Sequence, residues 1–388
     1  RGKVLHACAD ALEAAYDVIA KANAADVAAA SKANMSAASA ARLHLPLKKL
    51  KGVTAGLRDI AKQPDPLWRT KRHVELAPGL VLRQETVPIG VILVIFESRP
   101  DVVPQVAALA IASGNGLLLK GGKEAARTNA VLHSILASTV ERATSGRVKG
   151  SLLGLVETRA QIGALLQLQG AIDLVIPRGS NAMVQHIMSS TKIPTLGHAD
   201  GVCHMYVDAA ADPAKAERLM LDAKTDYPAA CNALETLLVH QSAVGSGLAT
   251  RLCEAARKAG IKLFGGPHAC QLLINERLEP AADLHTEYGE LAMCVEVVAG
   301  LAEAVEHIHT YGSSHTEVIV TEDPAAAEAF LSSVDAANVF HNASSRFADG
   351  YRFGLGAEVG ISTSRIHARG PVGVEGLLTT RNRVVSTS

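Results

Sequence analysis

The sequence has no excess of either charge: among 388 residues, Lys plus Arg and Asp plus Glu each number 38, for a formal net charge of +0. A chain without a basic bias lacks the electrostatic footprint of a nucleic-acid binder, and without single-sign runs it lacks an attraction for anionic membranes. No apolar stretch reaches the roughly 18 uninterrupted residues of a transmembrane helix. Cysteine is sparse, with six residues and no C-x-x-C pair. That is too few to staple a chain of this length, so reduced thiols in a cytosol-like compartment are expected. No signal peptide opens the sequence. It starts at Arg1 already in helical pattern and reads as a domain cut from something longer, with any upstream targeting segment out of view. Against these absences stand 48% apolar and 20% charged residues, enough to bury a large core spread over two or three domains. A small molecule is the remaining class of substrate.

Familiar nucleotide motifs are missing too. No G-x-G-x-x-G follows a strand: Gly114-Asn115-Gly116 begins one and continues Leu117-Leu118-Leu119, and Gly354-Leu355-Gly356 meets its third glycine one place late. Gly116 and Gly121 have Walker A spacing, but Gly122 stands where lysine belongs. Fifteen histidines include no H-E-x-x-H pair, so no metal site is expected.

What is present alternates. Residues 1–62 are Ala-rich, with Leu5, Leu12, Val18 and Ile19 near helical spacing, up to a break at Gln63-Pro64-Asp65-Pro66. Apolar residues around Pro78-Gly79 predict a hairpin over 73–87. From 87 onward, strands at 90–96, 116–119, 152–156, 172–176 and 194–196 alternate with helices at 101–113 and 123–144. This is the pattern of a doubly wound parallel sheet. A second α/β unit follows, with strands at 203–207, 235–239, 295–298, 318–320 and 338–341 and helices at 213–224 and 242–259. An edge strand is expected at 377–385.

Four segments carry candidate chemistry. Residues 113–124 end a strand in Lys120 and enter a helix through Gly121-Gly122-Lys123-Glu124, so Lys120 and Lys123 face a ribose or its phosphate, or else merely start a solvated helix. Residues 172–181 run a buried strand through Pro177-Arg178-Gly179 to a helix capped by Ser180 or Asn181, a place for an anion or an ordinary cap. In Asp226-Tyr227-Pro228-Ala229-Ala230-Cys231-Asn232-Ala233, small neighbours leave room around a thiol, and backbone N–H groups near Cys231 and Asn232 can hold an oxyanion. The alternative is a cysteine packed as a hydrophobe, which is how Cys8 and Cys253, within helices, are read. Finally, Asn342, Ser344 and Arg346, with Arg365 and Arg369, supply donors suited to carboxylate or phosphate, or to surface ion pairs.

Together, residues 87–100, 113–124, Ile176-Pro177-Arg178-Gly179-Ser180, Cys231-Asn232-Ala233 and His367-Ala368-Arg369-Gly370-Pro371-Val372-Gly373 resemble the gamma-glutamyl phosphate reductases of the aldehyde dehydrogenase superfamily. The 117–125 wording and the 226–231 loop look most like the C-terminal half of the bifunctional delta-1-pyrroline-5-carboxylate synthases, without a glutamate kinase portion. The resemblance implies an α/β, aldehyde dehydrogenase-like fold. Its cofactor domain is a doubly wound sheet over 1–72 and 88–202, its catalytic domain an α/β unit over 203–370, and its small β oligomerisation unit consists of the hairpin 73–87 and the tail 371–388.

The implied reaction is NADPH-dependent reduction of L-glutamate 5-phosphate to L-glutamate 5-semialdehyde in proline synthesis. Cys231 is the implied nucleophile, by way of a thioester. Ser98, Arg99, Pro100, Lys120, Lys123, Pro177, Gly179 and Ser180 are the implied cofactor residues. Asn232, Asn342, Ser344, Arg346 and Arg369 are the implied substrate residues, and His198 a candidate for proton transfer. The implied partners are a second copy of the chain and a glutamate 5-kinase, fused or separate, in the cytoplasm. Aldehyde-oxidising relatives carry a water-activating glutamate in Glu-Leu-Gly-Gly, whereas the comparable stretch here is Leu196-Gly197-His198-Ala199-Asp200-Gly201. Its loss suits a reductase and disfavours oxidation of a free aldehyde. Ser98 stands near the place of the superfamily's oxyanion asparagine. Retention of the Cys231 loop and Lys120 argues against a silent scaffold.

Overall fold

The computed structural model describes every residue except Asn34, Ser36, 157–159, Ala199, Thr387 and Ser388. Ala199 of the 196–201 stretch and the last two residues of the expected tail therefore lie outside the described residues. The chain divides into two compact units, one made of residues 1–199, 350–361 and 366–388 and the other of 200–349 and 362–365. This differs from the sequence reading, which placed all of 203–370 in one domain and set the hairpin and tail apart. The cause is apolar: Ala357, Val359, Val372, Val374 and Leu377 complete the core of the first unit.

The first unit opens with helices α1 (Gly2–Ala14), α2 (Tyr16–Lys32), α3 (Ala37–Leu43) and α4 (Leu47–Lys62). Leu5, Leu12 and Ile19 are buried as their spacing predicts, but Val18 faces solvent. The hairpin is longer than expected, β1 (Thr70–Ala77) and β2 (Leu80–Pro88), and turns at Gly79, whose φ of 73° favours a residue without Cβ. Strand Leu378–Ser386 pairs antiparallel with β2 along its length, completing a three-stranded ribbon with β2 in the middle.

Then come β3 (Val91–Phe96), α5 (Val102–Ser113), β4 (Gly116–Lys120), α6 (Ala126–Ala143), β5 (Leu153–Leu155), α7 (Ala160–Leu165), β6 (Leu174–Arg178) and α8 (Asn181–Ser190). The parallel sheet has order β5-β4-β3-β6. Strand β3 shows why it is buried on both faces. Ile92, Val94 and Phe96 join the core formed with α1, α4, α5 and α6, while Leu93 and Ile95 join Leu166 and Ile187 on the other side. The strand expected at 194–196 is only an isolated bridge of Thr195 to Val175, since Pro194 has no N–H to extend a ladder.

The second unit is a seven-stranded parallel sheet of order β10-β9-β11-β8-β7-β12-β13. In chain order it runs β7 (Cys203–Val207), α9 (Pro213–Thr225), β8 (Leu234–His240), α10 (Ser242–Gly245), α11 (Leu248–Lys258), β9 (Lys262–Gly265), α12 (Pro267–Leu272), β10 (Glu279–Pro280), β11 (Ala292–Val298), α13 (Leu301–Tyr311), β12 (Thr316–Val320), α14 (Pro324–Ser333) and β13 (Asn338–His341). The single helix expected at 242–259 is broken at Gly247, which adopts a φ of 79°. Met205 and Val207 of β7 face the core beneath α9 and α11, whereas Tyr206 packs with Ile308 and Phe330 from α13 and α14. Among the described residues no helix is long and apolar enough to cross a membrane.

Candidate functional site

The cofactor candidates gather at the carboxyl edge of the first unit's sheet. Strands β3, β4 and β6 end at Phe96, Lys120 and Arg178, and register as parallel neighbours there. Just past β3, Ser98 is buried with a positive φ of 45°, and both its N–H and its hydroxyl donate to Glu124 Oε1, at 2.6 and 3.0 Å. Arg99 and Pro100 follow, their carbonyls accepting the N–H groups of Val102 and Val103 as α5 begins.

Lys120 is buried, with Nζ donating to the Gly121 carbonyl. Close approach favours glycine at 121, where a Cβ would stand 2.2 Å from Asn129 Nδ2 and 3.0 Å from the Phe96 ring, whereas one at Gly122 would meet only the end of the Glu124 side chain, 1.9 Å from Oε1. Lys123 is exposed at the start of a 3-10 turn, Lys123–Ala125, that precedes α6. Pro177 lies in β6, and Gly179 and Ser180 are exposed beyond it. Ser180 is the N-cap residue of α8, but its side chain makes no capping bond. Its N–H instead donates to Glu97 Oε2 at 3.0 Å.

Gly114-Asn115-Gly116 does not join this edge. Gly114 closes α5 with a φ of 75°, and the buried Asn115 donates to Ser113 Oγ at 2.7 Å and to the Leu377 carbonyl at 2.8 Å. These residues fasten the opposite, amino end of β4. His198 also belongs to the first unit, with Nδ1 2.7 Å from the Ile361 carbonyl. Arg369 lines a cavity of about 460 Å³ with Gln63, His367 and Glu375.

Cys231 lies in the second unit, on the loop joining α9 to β8, where it is half-buried. Burial pushes the thiols of Cys8, Cys253 and Cys294 up to about 12, and that of the fully buried Cys203 also upward. These four are packing residues, as read for Cys8 and Cys253. The Cys231 loop is held from several sides. Cys203 Sγ donates to the Cys231 carbonyl at 3.3 Å, and Asn232 Nδ2 donates to the Ala348 carbonyl at 2.8 Å. Arg346 donates through Nε to Asp226 Oδ2 at 3.1 Å and through Nη1 to Asn232 Oδ1. Ser344 Oγ accepts the Arg346 N–H at 3.3 Å.

Arg346, Ser344 and Asn232 are thus brought together against the loop. Asn342 is not: its amide bridges the backbone N–H and carbonyl of Thr321, at 3.1 and 2.9 Å. Arg365 pairs with Asp335 at the surface.

Three features of this loop escaped the sequence reading. A Cβ on Gly201 would stand 2.2 Å from the Cys231 carbonyl oxygen, so the two backbones touch. Lys224 and Glu235, at the two ends of the loop, form a fully buried ion pair at 2.7 Å. Burial raises the Glu235 carboxyl to about 7 and lowers the Lys224 amine. Glu235 further accepts the N–H groups of Tyr288 and Gly289, at 3.2 and 3.4 Å. The third feature is His315, fully buried, with a ring nitrogen within 4.8 Å of Cys231 Sγ. Its one sequence signal is the polar run Ser313-Ser314-His315-Thr316-Glu317 leading into an apolar strand.

Known proteins resemble this chain in sequence and fold. The profile of the Aldehyde dehydrogenase family matches residues 1–263. Delta-1-pyrroline-5-carboxylate synthase A of Arabidopsis thaliana is 52% identical over 381 residues, which are 98% of this chain and 52% of that protein. The chain therefore spans about half the length of such curated relatives. A gamma-glutamyl phosphate reductase of a Synechococcus species is 51% identical over 99% of this chain and 87% of that protein. The crystal structure of gamma-glutamyl phosphate reductase from Thermotoga maritima matches with a TM-score of 0.92 at 34% identity, covering 99% of this chain and 92% of that one. An acetylating aldehyde dehydrogenase from Geobacillus thermoglucosidasius, 18% identical with a TM-score of 0.66 over 99% and 91% of the two chains, shares the fold. The chain belongs to the aldehyde dehydrogenase family and, within it, to the gamma-glutamyl phosphate reductases.

Proposed function

We propose that this chain reduces L-glutamate 5-phosphate to L-glutamate 5-semialdehyde with NADPH, releasing phosphate, as a step of proline biosynthesis. The observation that carries the reading is Cys231: a half-exposed thiol on a loop of small residues, braced by Arg346 and Asn232, in a chain whose relatives are named for this reduction. The first unit is the cofactor domain in this reading and the second the catalytic domain.

Membership in the family carries a nicotinamide cofactor. The residues present fit one: three parallel strands end together beside a buried lysine, a Gly-Gly turn and the start of a ten-residue helix. Ser98, Arg99, Pro100, Lys120, Lys123, Pro177, Gly179 and Ser180 would hold it. Two features support NADPH over NADH. Lys123 is exposed, and the Glu124 carboxylate turns back onto Ser98 instead of reaching outward.

The chemistry asks Cys231 to attack the acyl phosphate carbon. The C–O bond to phosphate breaks, phosphate departs, and a thioester remains. The dinucleotide, when bound, supplies the hydride that reduces this thioester. Collapse of the C–S bond then frees the aldehyde and the thiol. The Arg346 guanidinium holds the loop and presents positive charge beside it. Without a glutamate in the 196–201 stretch, the thioester has no water-activating base from that segment.

The exposed ribbon, whose outer strands β1 and Leu378–Ser386 each pair on one side only among the described residues, supports assembly with further copies. Coverage of half of the synthases supports cooperation with a glutamate 5-kinase, fused or separate. Six reduced cysteines support a cytoplasmic compartment. The test is the reverse reaction, oxidation of glutamate semialdehyde by NADP. It should require inorganic phosphate and vanish in Cys231→Ala, which should still bind NADPH. Equal rates without phosphate would refute the reductase reading.

A further inference from the structure

We infer that His315 is a catalytic residue that takes the proton of the Cys231 thiol and returns it at the end of the cycle. This rests on the reductase reading above. The histidine ends the 312–315 connection between α13 and β12, is fully buried, and has a ring nitrogen within 4.8 Å of Cys231 Sγ. That span is one rotamer step or one intervening water from a direct hydrogen bond, the looseness common in catalytic pairs before substrate arrives.

The ring is held in place. Nδ1 is 2.9 Å from Thr316 Oγ1 and 3.7 Å from Cys203 Sγ, and the His315 carbonyl accepts the Asn338 amide at 3.0 Å. Groups of the second unit that face it include Cys231 from its loop, Cys203 from β7, Thr316 and Glu317 from β12 and Asn338 from β13. Burial raises the Cys203 thiol and the Glu317 carboxyl above their ordinary values. Of the two thiols near the ring, only Cys231 is half-exposed and so able to meet substrate.

The proton balance closes. As Cys231 sulfur bonds to the acyl carbon, its proton passes to His315. The C–O bond to phosphate breaks, and phosphate leaves, taking up from the solvent the one proton that the overall reduction consumes. After reduction the C–S bond breaks, the carbonyl forms, and the expelled thiolate recovers its proton from His315. A thiol without this partner would depend on the small thiolate fraction set by bulk pH.

The decisive measurement uses the protein without substrate: the rate of iodoacetamide alkylation at Cys231, read on its peptide by mass spectrometry from about pH 5 to about pH 10. In wild type the rate should inflect at least one unit below the ordinary thiol value of about 8.5. In His315→Asn and His315→Gln it should move up to that value. Turnover should fall on the order of 10²-fold, with NADPH affinity unchanged within about twofold. A wild-type inflection at the ordinary thiol value overturns the proposal whether or not the variants fold. So does an unaltered profile in a folded variant. Absence of phosphate-dependent turnover in wild type would overturn the reductase reading instead, while the alkylation profile would still decide the role of His315.

Discussion

An alanine at Gly201 would place its methyl carbon 2.2 Å from the Cys231 carbonyl oxygen and 2.7 Å from the Cys231 Cα. Neither neighbour is the free end of a flexible side chain. Both are backbone of the Cys231 loop, and the carbonyl is also the acceptor for Cys203 Sγ. Ordinary van der Waals separation requires the loop to retreat by more than about 1 Å. A displacement of that size at a reacting atom costs on the order of 10²-fold in rate, because the attack geometry is lost before the fold is. Gly201→Ala should therefore lower kcat by about that factor. Its NADPH affinity should stay near that of wild type, since the candidate cofactor residues belong to the other unit. The assay is phosphate-dependent NADP reduction, with a thermal melt alongside. A variant with wild-type kcat and an unchanged melting curve would show that the loop yields without cost, and would refute the argument that Gly201 sets the position of Cys231.

Four more outcomes are expected. Lys123→Glu should weaken NADPH much more than NADH, by about 1–3 kcal/mol for each charge-assisted hydrogen bond removed, read as the ratio of kcat/KM for the two cofactors. Arg346→Ala should lower kcat on the order of tenfold with a smaller change in KM, because its guanidinium is committed to Asp226 and Asn232 of the Cys231 loop; a large KM effect alone would make it a substrate clamp instead. Glu235 binds its proton more tightly folded, at about 7, than at the ordinary 4.5. Between those values the folded state holds the extra proton, so its contribution to stability falls as pH rises. That slope should be absent from the melting temperatures of Glu235→Gln. Glu235→Leu, which strands Lys224, should cost about 3–5 kcal/mol at neutral pH.

The strands and helices of the first unit's parallel sheet were legible because burial on both faces writes continuous apolar runs, as in Val91–Phe96, and because glycines mark the turns. Strands β9 and β10 were not. Lys262–Gly265 is four residues long and starts with lysine, and Glu279–Pro280 is two residues long, so both are defined by the neighbours they pair with. The half-buried placement of Cys231 on a loop was legible from its small neighbours. Lys224, Glu235 and His315 were not, because a charged or polar residue inside α9, β8 or before β12 looks like a solvated position until the fold buries it. Asn342 shows the converse: a polar residue in the right stretch that the fold uses to finish a strand end.

The discontinuity of the first unit bears on how the chain is made. Its core includes Ala357, Val359, Val372, Val374 and Leu377, and the buried Asn115 waits for the Leu377 carbonyl. A ribosome must first deliver the roughly 150 residues of 200–349. At about 5–20 residues per second that takes on the order of ten seconds. During this interval the early helices and the four-stranded sheet stand with one side of their core uncovered. The second unit is built almost wholly from one uninterrupted run and can pack as it emerges. The part of the chain begun first is therefore finished last, and nascent chains stalled within 200–349 should present the first unit in an open, chaperone-binding form.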